Sequence, residues 1–261
     1  MTAPVLAVEG IGKSFKGFRA VDKVSFSVDD GELLALIGPN GAGKTTTFNM
    51  INGQLAPDHG RVQLGGEDVT GWPSRALWRA GVARTFQITQ TFSSMSVAEN
   101  LRVAILSREK SSGLVAAVEK PHADEIQARL AEVGMARAAD TLCSILAYGD
   151  LKRVELAIAL VNDPRLLLMD EPTAGMAARE RGELMRLVAE RARQRRTAVL
   201  FTEHDMDVVF GYADRVVVMN RGRLIAEGTP DDVRASPLVR EVYLGGETLA
   251  AIGGGAGRSS P

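Results

Sequence analysis

Residues 37–47 read IGPNGAGKTTT. Within them Gly38, Gly43, Lys44 and Thr45 satisfy the spacing G-x-x-x-x-G-K-[ST], in which glycines let successive backbone N–H groups turn inward around an anion. Phosphate oxygens fit that cradle: Lys44 would reach the outer phosphates of a nucleotide and the Thr45 hydroxyl would ligate Mg²⁺. Far along the chain RLLLMDE ends in two acids, Asp170 and Glu171. Asp170 would hold Mg²⁺, directly or through water, and Glu171 would polarise the attacking water as general base. Taken alone, the same pair is what a solvated turn would carry. FTEHD sets His204 just past another apolar run. A lone histidine is more often structural, and its place beside the same sheet edge is what argues for a neutral imidazole that contacts the γ-phosphate and positions water. In RTFQ, the Gln87 amide would touch Mg²⁺ or the water from a loop that moves; its spacing alone leaves it an ordinary polar loop residue.

These groups need elements to hold them. LAVEGIGKSF, AVDKVSFSV and ELLALIG read as strands joined by turns, and GRVQLGGEDVT as a further strand and turn. TTTFNMING reads as a short helix closed by Gly53, so the Gly-rich loop lies between a strand and a helix N-terminus that favours negative charge. RLLLMDE, TAVLFTEH and RVVVMN are the continuous apolar runs that buried parallel strands give, and RGELMRLVAERARQRR is an amphipathic helix. Between Thr89 and Val161 the texture is helical, with Ile126, Leu130 and Val133 on one face. The expected fold class is α/β: a mostly parallel sheet, an N-terminal antiparallel β part and an inserted helical lobe. Residues 5–88 and 162–246 read as the nucleotide-binding core, 89–161 as the lobe, and the Gly-rich tail 247–261 as unstructured.

The chain of 261 residues balances 31 Lys plus Arg against 32 Asp plus Glu, for a net charge of -1, which speaks against a nucleic-acid partner. A single cysteine, Cys143, permits no internal disulfide and reads as a small packed residue in a reducing compartment. No apolar run approaches the roughly 18 residues of a membrane span, and MTAPVLAVEG lacks the pattern of a secretory signal. The expectation is a soluble chain that meets a membrane only through another protein.

GPNGAGKTT, Gln87, ILAYGD, LLLMDEP, AGM and TEHD occur in the order found in the ATP-binding subunits of ABC transporters, and the resemblance runs from about Val5 to Gly246. It implies ATP and Mg²⁺, with Gly38, Pro39, Asn40, Gly41, Ala42, Gly43, Lys44, Thr45 and Thr46 around the phosphates and Phe15 stacked on adenine; the plain alternative for Phe15 is core packing. It further implies that the signature segment, Leu146 through Ala147, Tyr148, Gly149 and Asp150, binds the γ-phosphate held by a second ATP-binding subunit, so that two chains pair head-to-tail. AYG in the signature, AGM after DEP, KSFKGFRAVDKVSF, VARTFQ, FTEHDMDVV and the closing AEGTPDDVRASPLVREVYLGG resemble the larger ATPase subunit of branched-chain amino-acid importers. The implied partners are a transmembrane permease and, indirectly, a periplasmic solute-binding protein, and the implied place is the cytoplasmic face of the inner membrane. In that setting Phe92, Met95 and Val97, after Gln87, would contact a permease helix, or else pack within the lobe.

Three positions depart from the family pattern. Ala147 stands where Ser is usual and leaves the backbone N–H groups around Tyr148 and Gly149 as donors. Asp150 stands where Gln is usual; it would cap a helix beginning LKRVELA, its charge near a phosphate offset by Lys152 and Arg153. Ala177 stands where Asp is usual and puts the cross-dimer contact of that loop in doubt. Urea and amide importers, lipopolysaccharide-type exporters, soluble ABC-type ATPases and P-loop kinases are the competing readings.

Overall fold

The computed structural model describes residues 3–85, 91–109 and 122–244. Its centre is a six-stranded sheet in the order β10-β9-β3-β8-β7-β6, made from Leu33–Ile37 (β3), Val82–Thr85 (β6), Leu166–Asp170 (β7), Ala198–Thr202 (β8), Arg215–Asn220 (β9) and Arg223–Gly228 (β10). All neighbours are parallel except β10, which runs antiparallel to β9. The apolar runs have a simple cause: successive side chains point to opposite faces, and both faces are covered. Leu33, Ala35 and Ile37 join one hydrophobic cluster, while Leu34 and Leu36 join the other.

On one face lie Lys44–Ile51 (α1) and a four-stranded antiparallel sheet, order β2-β1-β4-β5, formed by Leu6–Phe15 (β1), Phe18–Val28 (β2), His59–Leu64 (β4) and Glu67–Asp68 (β5). Strands β1 and β2 meet through Lys16 and Gly17, both at positive φ (46° and 87°), so that Phe15 pairs directly with Phe18. Helix α1 ends as its sequence predicts, with Asn52 as cap and Gly53 in the left-handed region at φ 73°.

The other face carries Val97–Glu109 (α3), Ala123–Glu132 (α4), Tyr148–Leu160 (α5), Ala178–Arg195 (α6), Met206–Tyr212 (α7), Pro230–Ala235 (α8) and Pro237–Leu244 (α9); a short α2, Ser74–Arg79, precedes β6. Ile126, Leu130 and Val133 are buried, as their spacing on α4 requires. Helices α3, α4 and α5 lie between β6 and β7 in the chain, and their apolar faces merge with those of β3, β7, β8 and β9 into one cluster. Cys143 is buried among them, accepts a hydrogen bond from Asn100 Nδ2 at 3.3 Å, and has its thiol pKa raised by burial.

Two expectations need correction, and one alternative is decided. Helix α5 begins at Tyr148, not at Leu151, and its N-cap is Ala147 with no side-chain hydrogen bond; Asp150 therefore sits inside the first turn, where its charge suits the helix dipole but caps nothing. Lys152 is buried and paired with Glu155 at 3.1 Å, and Arg153 pairs with Glu183 at 2.8 Å, so the charge each would set against Asp150 is already matched by another carboxylate. Val97 is fully buried in the lobe, whereas Phe92 is exposed and Met95 half-buried.

Candidate functional site

A cleft of about 360 Å³ opens where the C-terminal ends of β3, β7 and β8 converge. Ligands in open parallel sheets sit at this edge. The loop after β3 supplies Asn40, Gly41, Ala42 and Gly43, and the first turn of α1 supplies Lys44, Thr45 and Thr46; β7 supplies Asp170 and, one residue on, Glu171; the segment after β8 supplies His204. Phe15 and Phe18 project from the tip of the β1–β2 hairpin to form an exposed aromatic wall, with Ala20 beside them. Phe18 went unnoticed in the sequence; the signal was the Lys16–Gly17 turn, which forces the two rings into one cross-strand pair.

The loop is shaped by its glycines. Gly43 lies at φ 104°, and a Cβ there would stand 2.6 Å from the Ala20 carbonyl oxygen. No side chain caps α1, so its first-turn N–H groups face the cleft without a competing acceptor of that kind. Lys44 Nζ donates to the carbonyls of Gly38 (2.6 Å) and Pro39 (3.2 Å), which ties the ends of the loop together. Burial pulls the Lys44 pKa below the ordinary 10.5, and the Glu171 and Asp170 carboxylates oppose that fall.

Asp170 is held from two sides: Thr202 Oγ1 donates to Oδ1 at 2.7 Å and Arg84 pairs with Oδ2 at 3.1 Å. Arg84, on β6, also donates to Asn49 Oδ1 (3.0 Å) and Gln54 Oε1 (3.1 Å), joining Asp170 to the end of α1. Glu171 adopts φ 48°, a left-handed backbone uncommon for a side chain of this size, and its Oε1 lies 2.7 Å from His204 Nε2. The base and the imidazole foreseen from sequence are thus in direct contact. Gln87 lies outside the described residues.

The signature residues Ala147, Tyr148, Gly149 and Asp150 do not line this cleft. They form the N-terminal turn of α5 on the helical side, where Tyr148 packs against Gly175 of the loop after Glu171 and Lys152 Nζ lies 5.7 Å from its ring centroid. Ala177 is the N-cap of α6, and Glu180 accepts a hydrogen bond from its N–H at 3.3 Å. Arg84, Thr202 and Glu203 are further polar groups around the site that sequence reasoning passed over; their partners come from distant strands, and no local pattern marks them.

A phosphate loop, an acid pair at a strand end and a histidine beside them occur in several P-loop families; the relatives decide among these. A model of the ABC transporter family matches residues 21–174. The chain belongs to the ABC transporter family. A second model, for the branched-chain amino acid ATP-binding cassette transporter, matches residues 223–248 of this ABC cassette. It is 40% identical over 254 residues to the high-affinity branched-chain amino acid transport ATP-binding protein LivG of Salmonella typhimurium, covering 94% of this chain and 99% of the relative. BraF of Pseudomonas aeruginosa, named for the same transport, is 37% identical over 254 residues, with the same coverage. Among solved structures, an ATP-binding cassette of an ABC transporter in its ADP conformation superposes with a TM-score of 0.82 at 33% identity, covering 94% of this chain and 100% of that one. A nucleotide-free ATP-binding cassette gives 0.81 at 33% identity, covering 92% and 99%. The ABC cassette is an ATPase subunit that binds nucleotide, and among its described residues no helix is long and apolar enough to cross a membrane.

Proposed function

We propose that this chain powers uptake of branched-chain amino acids through a membrane permease. The observation that carries the solute class is the likeness over residues 223–248, which match a model specific to branched-chain cassettes and of which the described part, 223–244, does not line the nucleotide cleft. Kinship to LivG and BraF along nearly the whole chain supports the same reading. The chain would act at the cytoplasmic face of the inner membrane, beside permease subunits and a second ATP-binding subunit, with a periplasmic solute-binding protein delivering the solute from the far side.

ATP would lie with adenine against Phe15 and Phe18 and its phosphates in the loop from Gly38 to Thr46. The Thr45 hydroxyl and the Asp170 carboxylate share the cleft, and a small set of hard oxygen donors suits Mg²⁺. Those two residues would hold the ion, with Gln87 as a third ligand; when bound it neutralises charge on the phosphates. Glu171 would draw a proton from the attacking water, and His204, held by Glu171, would fix the direction of attack. The first-turn N–H groups of α5 are those a helix leaves without intrahelical partners, so Ala147 need not supply a hydroxyl for the signature to hold the partner's γ-phosphate. Residues 89–161 would carry the signature and, through exposed Phe92 and half-buried Met95, the permease contact; 5–88 and 162–246 would hold the nucleotide.

Uptake of labelled leucine, isoleucine and valine by cells that rely on this chain tests the reading. Glu171→Gln should abolish all three. Undiminished uptake of the three, or loss of urea uptake instead, would overturn the solute assignment.

A further inference from the structure

Between β8 and α7 three successive residues, Glu203, His204 and Asp205, reach across to the segment that follows β7. His204 meets Glu171 (2.7 Å), and Asp205 pairs with Arg181 on α6 while capping α7 through Asp207 N–H (2.9 Å) and Val208 N–H (3.4 Å). Glu203 is a different kind of group. It is 4% exposed, and no step of the reaction described above uses it. A buried carboxylate is costly unless its oxygens are satisfied. Here Oε1 accepts from Thr173 N–H at 2.9 Å and Thr173 Oγ1 at 2.6 Å, while Oε2 accepts from His204 N–H at 3.2 Å. Thr173 is itself buried, at 2% exposure, two residues beyond Glu171.

One side chain therefore fixes the backbone on which both reacting groups stand. Glu171 is held at φ 48°, a left-handed conformation that is uncommon for an L-residue and persists only where its surroundings over-determine it. Its own N–H is tied to Thr202 (3.1 Å), which anchors the residue from behind. The anchor in front is Thr173, and Thr173 is held by Glu203. Without that carboxylate the loop could relax out of the left-handed turn and carry Glu171 away from His204.

We propose that Glu203 is a positioning residue: its carboxylate bridges Thr173 and the His204 backbone, and so sets the Glu171–His204 pair in register for hydrolysis. This rests on the reading that Glu171 and His204 act on the attacking water. The bridge needs acceptors on both atoms. In Glu203→Gln, the amide nitrogen cannot accept, so either Thr173 or His204 loses its partner while size and shape are kept.

The full chain with its partner subunits tests this by comparing kcat, the KM for ATP and the affinity for a fluorescent ATP analogue. Glu203→Gln should lower kcat about tenfold to a hundredfold, as small misplacements of reacting groups do, with analogue affinity and melting temperature near those of the parent. Thr173→Val should lower kcat likewise, and Thr173→Ser, which keeps the hydroxyl, should recover most of that loss. An unchanged kcat in Glu203→Gln, or analogue affinity and melting temperature falling in step with kcat, would overturn the positioning role. Glu171→Gln separates the two layers: if it still turns over, the hydrolytic reading itself fails, whereas inactive Glu171→Gln beside fully active Glu203→Gln removes only Glu203.

Discussion

Replacing Gly43 by alanine should damage the chain more than replacing Gly41, although both glycines belong to the phosphate loop. Each has positive φ, 104° and 79°, so each substitution places an L-residue in unfavourable backbone space at a cost of roughly 1–2 kcal/mol. Each also stiffens the unfolded chain, which returns about 0.4–1 kcal/mol. The difference lies in what the new Cβ meets. At Gly41 nothing stands within 4 Å. At Gly43 the Cβ would lie 2.6 Å from the Ala20 carbonyl oxygen, 3.2 Å from Met219 Cε and 3.3 Å from Val21 Cγ2. The methionine end can swing away, but the carbonyl belongs to β2, and forcing it aside is overpacking worth typically about 1–3 kcal/mol. A gap of about 2 kcal/mol corresponds to roughly 4–8 °C in melting temperature for a chain of this size. Thermal denaturation without nucleotide, followed by circular dichroism, reads that gap directly. Titration with a fluorescent ATP analogue should show Gly43→Ala weaker still, because the start of α1 is displaced with the loop. Equal melting temperatures for the two variants, or a lower one for Gly41→Ala, would refute the reasoning.

Glu171→Gln should keep ATP affinity, lower hydrolysis about 10²–10⁴-fold and accumulate a nucleotide-bound dimer visible by size-exclusion chromatography. ATP affinity should weaken as pH rises through the alkaline range below 10.5: burial lowers the Lys44 pKa, so its ammonium is lost earlier than an exposed lysine's, and equilibrium titrations at a series of pH values would record this. Folding stability carries the opposite sign, because the unfolded chain holds that proton more tightly; the Lys44 contribution to stability rises over the same window. Met95→Asp should uncouple solute uptake from an intact ATP affinity, as transport and nucleotide-binding assays together would show. Val97→Asp should instead unfold the chain, since it puts a charge at a fully buried position, and loss of soluble expression would register it.

The sequence displayed what is local. A phosphate loop, apolar strands and a helix ended by Gly53 are each written within a dozen neighbouring residues, and each stands where the pattern put it. Phe18, Arg84 and Glu203 escaped notice because their partners, Phe15, Asp170 and Thr173, are brought to them by hairpin pairing or by neighbouring strands of the sheet. The start of α5 was misplaced because Tyr148, Gly149 and Asp150 carry turn chemistry in isolation; packing of the turn against Gly175 and Glu180 overrides it. For Val97 the sequence left permease contact and lobe packing open, because a lone apolar residue after a loop gives no sign of which side the lobe covers; its burial decides for packing.

The apolar cluster shared by α3, α4, α5 and the parallel strands has an architectural consequence. Among the described residues the apolar faces of the helical insert are continuous with those of the sheet, so its floor is the roof of the sheet. Excised as a separate peptide it would lose the surface against which it condenses. Substitutions on its outward rim are free of that constraint, while the inward face must stay matched to the strands beneath it.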